Sequence, residues 1–256
     1  MPRLESAGVG IAYDVWPAAP PDRGEPVLLI HGFASHRRVN WIETGWTAAL
    51  AADRRAVAAF DHRGHGESDK PRDPAAYEAR TLAGDALRLL DALGWERADV
   101  IGYSMGARVA ACLALIAPAR VRSLVLGGLG AHLVDGAGLP QGVAAALEAE
   151  DPESVTDPLP RMFRMFADRN GQDRLALAAC IRGSRLSLGR DEIAGIGCPT
   201  LVAVGTRDAI AGDPHALAAM LPKGEAFDIA NRDHNPAVGD KTFKAAALDF
   251  LARQGT

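Results

Sequence analysis

Short apolar runs alternate along most of the chain with longer stretches that have helical spacing. The runs at 27–30 and 56–60 are continuous, which is typical of strands buried on both faces of a sheet. By these patterns strands are predicted at 9–15, 27–30, 56–60, 98–101, 121–126, 200–205 and 225–229. Helices are predicted at 41–52, 81–93, 109–117, 141–150, 160–167, 173–181, 214–221 and 240–253. The alternation predicts an α/β fold with a mostly parallel central sheet flanked by helices.

The alternation stops after Gly127 and Gly128. From about Gly130 to Gly189 the pattern is helical and contains no convincing strand. We therefore predict a core formed by residues 1–129 and 190–256, and a helical cap inserted at 130–189.

Composition limits the functions to consider. Of the 256 residues, 48% are hydrophobic and 23% charged, as in ordinary globular proteins, and the net charge of -4 gives no basic surface for nucleic acid. The longest apolar run, 109–117, is too short to cross a membrane, and no signal peptide is visible in residues 1–10. Three scattered cysteines suggest neither disulfides nor a zinc site, which favours the cytoplasm. With the charge and the short apolar runs, we expect no nucleic-acid and no membrane partner.

The sequence Gly102-Tyr103-Ser104-Met105-Gly106 lies between a predicted strand and a predicted helix. This is the context of a nucleophile elbow, a sharp turn that exposes one side chain at its tip. A Cβ atom at Gly102 or Gly106 would crowd the neighbouring strand and helix. Ser104 is therefore the candidate nucleophile, and the N–H of Met105 directly after it is a candidate oxyanion donor.

A serine hydroxyl needs a base within hydrogen-bond reach, and ligand groups of parallel sheets gather at the carboxyl ends of the strands. Asp208 follows the strand predicted at 200–205, and His234 follows the one at 225–229. Ser104, Asp208 and His234 are thus the predicted nucleophile, acid and base. Asp213 is a rival acid, although its place before Pro214 is typical of a helix N-cap.

With these residues, the chain resembles the α/β-hydrolase-fold proteins over nearly its whole length. The resemblance is carried by His31-Gly32-Phe33, by the loop Asp61-His62-Arg63-Gly64-His65-Gly66-Glu67-Ser68, by the elbow, by Gly205-Thr206-Arg207-Asp208 and by His234. It implies that the cap lies between the sixth and seventh core strands and that no cofactor is needed. It also implies that the Phe33 N–H is the second oxyanion donor, and that the His-rich loop is a packed turn and not a metal site.

The resemblance implies a serine hydrolase that acts on small to medium carboxylic esters through an acyl-enzyme on Ser104. The alternatives are a C–C bond (diketone) hydrolase, a lactonase, a perhydrolase, or a non-catalytic ligand receptor on the same fold. Haloalkane dehalogenases and epoxide hydrolases of this fold are disfavoured, since they have Asp at the position of Ser104.

The predicted cap offers candidates for the substrate pocket. Its apolar side chains include Leu139, Leu159, Met162, Phe163, Met165 and Phe166, and His132 begins it. We expect His132, Met162, Phe163 and Phe166 to line the pocket. A further hypothesis is that an arginine of the cap binds an acidic acyl group; the candidates are Arg161, Arg164, Arg169, Arg174, Arg182, Arg185 and Arg190.

Overall fold

The computed structural model describes residues 2–22, 24–134, 142–184 and 188–254. In these ranges eight strands form one sheet. The strands are β1 (Arg3–Ser6), β2 (Val9–Trp16), β3 (Val27–Ile30), β4 (Val57–Phe60), β5 (Ala98–Tyr103), β6 (Val121–Gly127), β7 (Thr200–Gly205) and β8 (Gly224–Ile229). Their order across the sheet is β1-β2-β4-β3-β5-β6-β7-β8.

The sheet is mostly parallel, as predicted. From β4 through β8 every neighbouring pair is parallel, whereas β1 and β2 add an antiparallel edge. Because its central strands are parallel, their carboxyl ends lie along one edge, where the loops after β3, β5, β7 and β8 meet.

Helices cover both faces of the sheet. They are α1 (Trp46–Ala52), α2 (Ala79–Ala92), α3 (Met105–Ile116), α4 (Gly142–Glu148), α5 (Pro158–Arg169), α6 (Arg174–Gly183), α7 (Arg190–Ala194), α8 (Pro214–Ala218), α9 (His234–Ala237) and α10 (Lys241–Arg253). Side chains of α2 and α3, among them Leu82 and Leu113, belong to the larger buried cluster. Trp46 of α1 and Phe243 of α10 belong to the other.

The sequence predicts the first helix at 41–52, but the structure divides this segment in two. A π-helical turn occupies Arg38–Ile42, and α1 begins only at Trp46. The backbone N–H of Glu43 donates to the carbonyl of Arg38, five residues earlier, at 2.9 Å. A π-turn accommodates an extra residue that helical spacing does not reveal, and such turns are frequent at functional sites.

Helix α7 lies between β6 and β7 but begins at Arg190, in the residues predicted for the core. The helices α4 to α6 form the helical insertion. Its helix α6 packs on a short helical turn of the core, Pro74–Tyr77, where a Cβ atom on Gly183 would lie only 1.9 Å from the Pro74 carbonyl oxygen. The Gln172 side chain also accepts a hydrogen bond of 3.0 Å from the Gly66 N–H of the core. The insertion is thus joined to the core by close packing as well as by the chain.

None of the helices in the described ranges combines the length and the apolar character that a bilayer-spanning segment requires.

Candidate active site

Ser104 lies at the tip of the turn between β5 and α3. Its backbone has φ 53° and ψ -114°, a strained conformation for a residue with a side chain. The turn is tight, since a Cβ on Gly102 would lie 2.3 Å from the Gly106 carbonyl oxygen, and one on Gly106 2.0 Å from that of Ile30. The two glycines therefore permit the turn that leaves the Ser104 side chain partly exposed.

The structure brings Ser104, His234 and Asp208 together. His234 Nε2 lies 2.9 Å from Ser104 Oγ, and His234 Nδ1 lies 2.7 Å from Asp208 Oδ2. The Asp208 carboxylate can only accept a hydrogen bond, so the proton of the neutral His234 ring is on Nδ1. Nε2 is then free to accept the Ser104 proton.

The Asp208 carboxylate is held rigidly. Its side chain is fully buried, and its Oδ1 accepts hydrogen bonds from the backbone N–H groups of Ile210 at 2.9 Å and Ala211 at 3.1 Å. The rival Asp213 instead caps α8, where its Oδ1 accepts from the His215 N–H at 2.8 Å. Of the two acids, only Asp208 contacts the imidazole of His234.

Tyr103, which precedes the nucleophile, also contacts the loop that carries the base. Its hydroxyl donates to the backbone carbonyl of His234 at 2.5 Å. Burial raises the pKa of Tyr103 well above its usual value, and the nearby carboxylates of Asp208 and Asp233 add to the effect. The phenol therefore stays protonated and remains a donor. No role for Tyr103 was predicted from the sequence.

Of the predicted oxyanion donors, the N–H of Met105 directly follows the nucleophile, and the N–H of Phe33 belongs to a turn close to it. Phe33 is in a turn closed by a 3.3 Å hydrogen bond from Ser35 N to Gly32 O, with Ala34 at φ 58°. Met105 is the first residue of α3, so its N–H has no acceptor within the helix. A Cβ on Gly32 would lie 3.4 Å from Ser104 Cβ, which shows how closely the turn approaches the nucleophile.

Three buried histidines, His31, His62 and His65, lie next to this turn. His31 Nδ1 donates to the Gly32 carbonyl at 2.8 Å, and His31 Nε2 accepts from the His62 N–H at 3.0 Å. The His65 ring lies edge-on to Phe33, with centroids 5.8 Å apart. Burial lowers the pKa of His31 and of His65 to about 3 and that of His62 well below its usual value, so all three are neutral at physiological pH.

The described residues include no group of three or more His, Cys, Asp or Glu side chains placed to hold a metal ion. In the His-rich loop the Asp61 carboxylate accepts instead from the Arg37 and Glu67 N–H groups, at 2.7 and 2.8 Å.

A cavity of about 170 Å³ opens beside Ser104 and His234. Its roof includes Met162, Phe163 and Phe166 of α5, three of the four side chains expected there. The rest of the described wall is formed by Gly32, Phe33, Ser35, Val39, Asn40, Thr44, Tyr103, Asn235 and Val238. Five of these, Ser35, Val39, Asn40, Thr44 and Asn235, are polar or small side chains that hydrophobic spacing does not distinguish from other loop residues.

The structure places His132, the fourth residue expected in the pocket, elsewhere. This side chain is absent from the described wall of the cavity, and its Nδ1 bonds the Ile210 carbonyl at 2.7 Å, next to the Asp208 loop. Met165 is also not part of the roof, because its side chain is 58% exposed. Leu139 and Arg185 lie outside the described residues.

Several arginines of the insertion have partners away from the cavity. Arg161 pairs with Glu153 at 2.8 Å, Arg164 with Asp168 at 2.8 Å, and Arg182 with Glu148. Arg174 donates to the carbonyl of Ala149 at 3.0 Å. No arginine is among the described residues that line the cavity, so the structure gives no support to an arginine that binds an acidic acyl group.

Comparison with known proteins agrees with the fold. Residues 25–135 match the family model described as alpha/beta hydrolase fold. A solved hydrolase from Pseudomonas aeruginosa PA01 is 29% identical, superimposes with a TM-score of 0.79, and is matched over 98% of this chain and 97% of its own.

The chain has the α/β-hydrolase fold. An esterase from Exiguobacterium antarcticum shares this fold at 18% identity, with a TM-score of 0.80 and coverage of 97% of this chain and 98% of its own. Among curated proteins, epoxide hydrolase B of Mycobacterium tuberculosis is 39% identical over 111 residues. That match spans 42% of this chain and only 30% of the relative. Proteins that share one fold can catalyse different reactions. The reaction of this chain therefore has to be inferred from the residues at its site.

Proposed function

We propose that this α/β-hydrolase-fold protein is a serine hydrolase that cleaves small to medium carboxylic esters through an acyl-enzyme on Ser104. The observation that carries the proposal is the continuous hydrogen-bonded chain from Ser104 Oγ through His234 to Asp208, with distances of 2.9 and 2.7 Å. This is the arrangement that activates a serine hydroxyl, a weak nucleophile at its own pKa.

In the first half of the reaction, His234 Nε2 accepts the Ser104 proton as the serine oxygen attacks the ester carbonyl carbon. The N–H groups of Phe33 and Met105 stabilise the resulting oxyanion, and Asp208 stabilises the imidazolium. His234 then returns the proton to the alcohol oxygen, the C–O bond breaks and the acyl group remains on Ser104.

In the second half, His234 accepts a proton from water, which attacks the acyl carbon. Collapse of the second tetrahedral intermediate releases the carboxylic acid and returns the proton to Ser104. The residues of the chain supply every proton acceptor and donor that these steps require.

The cavity supports a substrate of limited size. Its 170 Å³ is small compared with the roughly 300–1,000 Å³ of pockets that hold drug-sized ligands. The Phe163 ring of the roof packs on Phe33 of the turn, with ring centroids 5.9 Å apart. These aromatic surfaces favour a short apolar acyl chain over a charged acyl chain.

A panel of p-nitrophenyl esters from acetate to decanoate, assayed with the wild type and Ser104→Ala, tests this function. We expect turnover of the shorter esters by the wild type and loss of at least about 10³-fold in the variant. Folded wild-type protein that hydrolyses no member of the panel would instead favour the ligand receptor.

A further inference from the structure

Two polar side chains of the cavity wall are almost completely buried. Ser35 is 4% exposed and Asn40 is 5% exposed, and both line the cavity that contains Ser104. Neither was predicted from the sequence as a site residue. Burial of polar groups in a wall that is otherwise largely apolar is costly unless they are paired.

The Asn40 side chain has one atom in use and one without a partner. Its Oδ1 accepts a 3.1 Å hydrogen bond from the Gly32 N–H, which fixes the orientation of the amide because only the oxygen can accept. Its Nδ2 is buried and has no hydrogen-bond partner among the described residues. A buried donor left unpaired destabilises the folded protein, so its retention calls for an explanation.

Ser35 is the second buried polar residue of the wall. Its backbone N–H closes the turn to Gly32 O, and its side chain lines the cavity beside that of Asn40. Thr44 is a third polar residue of the wall, and its hydroxyl donates to the Asn40 carbonyl at 2.6 Å.

Asn40 and the nucleophile both approach Gly32. The position of a Cβ on Gly32 would be 3.4 Å from Ser104 Cβ and 3.7 Å from Asn40 Oδ1. The π-helical turn Arg38–Ile42 holds Asn40 in this place, and the adjacent Val39 lines the same cavity. The amide of Asn40 is therefore close enough to contact a group bound to Ser104.

We infer that the Ser35 hydroxyl and the Asn40 amide form a polar subsite that binds a second oxygen of the substrate, in addition to the ester group. This inference rests on the proposed function and names a substrate class, short esters whose acyl chain carries an ether or keto oxygen close to the carbonyl. A site that offers donors to such an oxygen rejects the analogue that lacks it, because the donors are then left unpaired.

Two pairs of p-nitrophenyl esters of matched shape test the subsite. Methoxyacetate is compared with butyrate, and 3-methoxypropanoate with pentanoate. Each kcat/KM is divided by the rate of hydroxide-catalysed hydrolysis of the same ester, which removes differences of intrinsic reactivity. We expect the wild type to prefer the oxygenated member of each pair by at least about tenfold, the effect of 1.4 kcal/mol.

Three variants remove the donors. Ser35→Ala deletes the hydroxyl, Asn40→Leu deletes the amide at similar volume, and Asn40→Asp deletes the NH₂ group but keeps an acceptor for the Gly32 N–H. The normalised preference should fall towards 1 in the Asn40 variants and drop partially in Ser35→Ala. Ser154→Ala is the control, because its hydroxyl donates to the Asp151 carbonyl and its side chain is not among the described residues that line the cavity, so its loss should leave the preference as in the wild type.

The outcomes separate the subsite from the proposed function. A wild type that hydrolyses butyrate without preferring methoxyacetate overturns the subsite alone. So does an equal loss of activity on both members of a pair in the Asn40 and Ser35 variants, which would indicate a merely structural role. If the wild type hydrolyses none of the four esters, the proposed function fails and the subsite fails with it.

Discussion

The hydroxyl of Tyr103 donates a 2.5 Å hydrogen bond to the backbone carbonyl of His234. The residue that precedes the nucleophile thus holds the loop of the base, although the two lie 131 positions apart in the sequence. Because the Tyr103 ring is also buried between β5 and the closing helix α10, where it lies 6.5 Å from the Phe243 ring, this contact ties the position of the imidazole to the core.

Tyr103→Phe should therefore reduce activity without removing any atom that reacts. We expect kcat/KM for a short ester to fall about tenfold, which is less than the about 10²-fold loss that a misplacement of 1 Å can cause. The free energy of unfolding should fall by about 1–3 kcal/mol, because the His234 carbonyl loses its hydrogen-bond donor. Tyr77→Phe is the control, since the Tyr77 hydroxyl also donates to a carbonyl, that of Pro71, away from the site. Equal activity of the two variants would show that the contact with His234 only stabilises the fold.

The choice between the two candidate acids can be tested directly. Asp208→Asn should lower kcat by about 10³–10⁴-fold, since an amide at this position neither fixes the His234 tautomer nor stabilises its cation. Asp213→Ala should leave kcat unchanged and cost about 0.5–2 kcal/mol of stability, because it removes the N-cap of α8. Steady-state kinetics and urea unfolding measure both effects, and the opposite pattern would reassign the acid.

The aromatic roof should set the preferred chain length. Phe163 is 6% exposed and lines the cavity, so Phe163→Leu enlarges the space above Ser104. We expect the optimum in a series of p-nitrophenyl esters to shift to longer acyl chains. Met165→Ala, at a side chain of the same helix that is 58% exposed, should leave the optimum where it is in the wild type. If both variants show the wild-type optimum, α5 does not limit the substrate.

The buried histidines predict sensitivity to acid. His31 and His65 have a pKa of about 3 in the folded protein against 6.5 for the free side chain, so the unfolded chain binds more protons between these values. Their contribution to stability is complete above pH 6.5 and is lost as the pH falls towards 3. Each adds a slope of up to about 1.4 kcal/mol per pH unit.

Urea unfolding at pH 7.0, 6.0 and 5.0 measures this slope. The double variant His62→Gln, His65→Asn replaces two of the rings by amides that can retain their hydrogen bonds, and its stability should depend less on pH. His215→Gln is the control at an exposed histidine. Asp228 raises the pKa of His215, which favours the folded state at low pH, so removal of this ring should not make stability less dependent on pH. A wild-type stability that is flat from pH 7.0 to 5.0 would contradict the assignment of neutral buried rings.

Much of the architecture follows from hydrophobic patterning. Continuous runs such as Val27–Ile30 can only be strands buried on both faces, and the confirmed parallel sheet results from their alternation with helices. The convergence of Ser104, Asp208 and His234 could be anticipated for the same reason, because each follows a parallel strand at its carboxyl end.

The remaining features depend on contacts that the pattern does not contain. The edge strand Arg3–Ser6 is short and largely polar, and it forms by pairing with β2. Asn40 lies just before the helix predicted at 41–52, and only the π-helical turn places it in the cavity wall. His132 was expected in the pocket because it begins the insertion, yet its ring is turned to the Ile210 carbonyl.

Labelling with a fluorophosphonate tests most directly whether Ser104 is a nucleophile activated by His234. An activated serine attacks the phosphorus atom of the reagent and displaces fluoride. This leaves a stable phosphonyl adduct on the serine oxygen, and peptide mass spectrometry locates the adduct. We predict one adduct, on the peptide that contains Ser104, and labelling at least about 10²-fold slower in His234→Ala. An adduct on another residue, or equal labelling rates in the wild type and His234→Ala, would contradict the account.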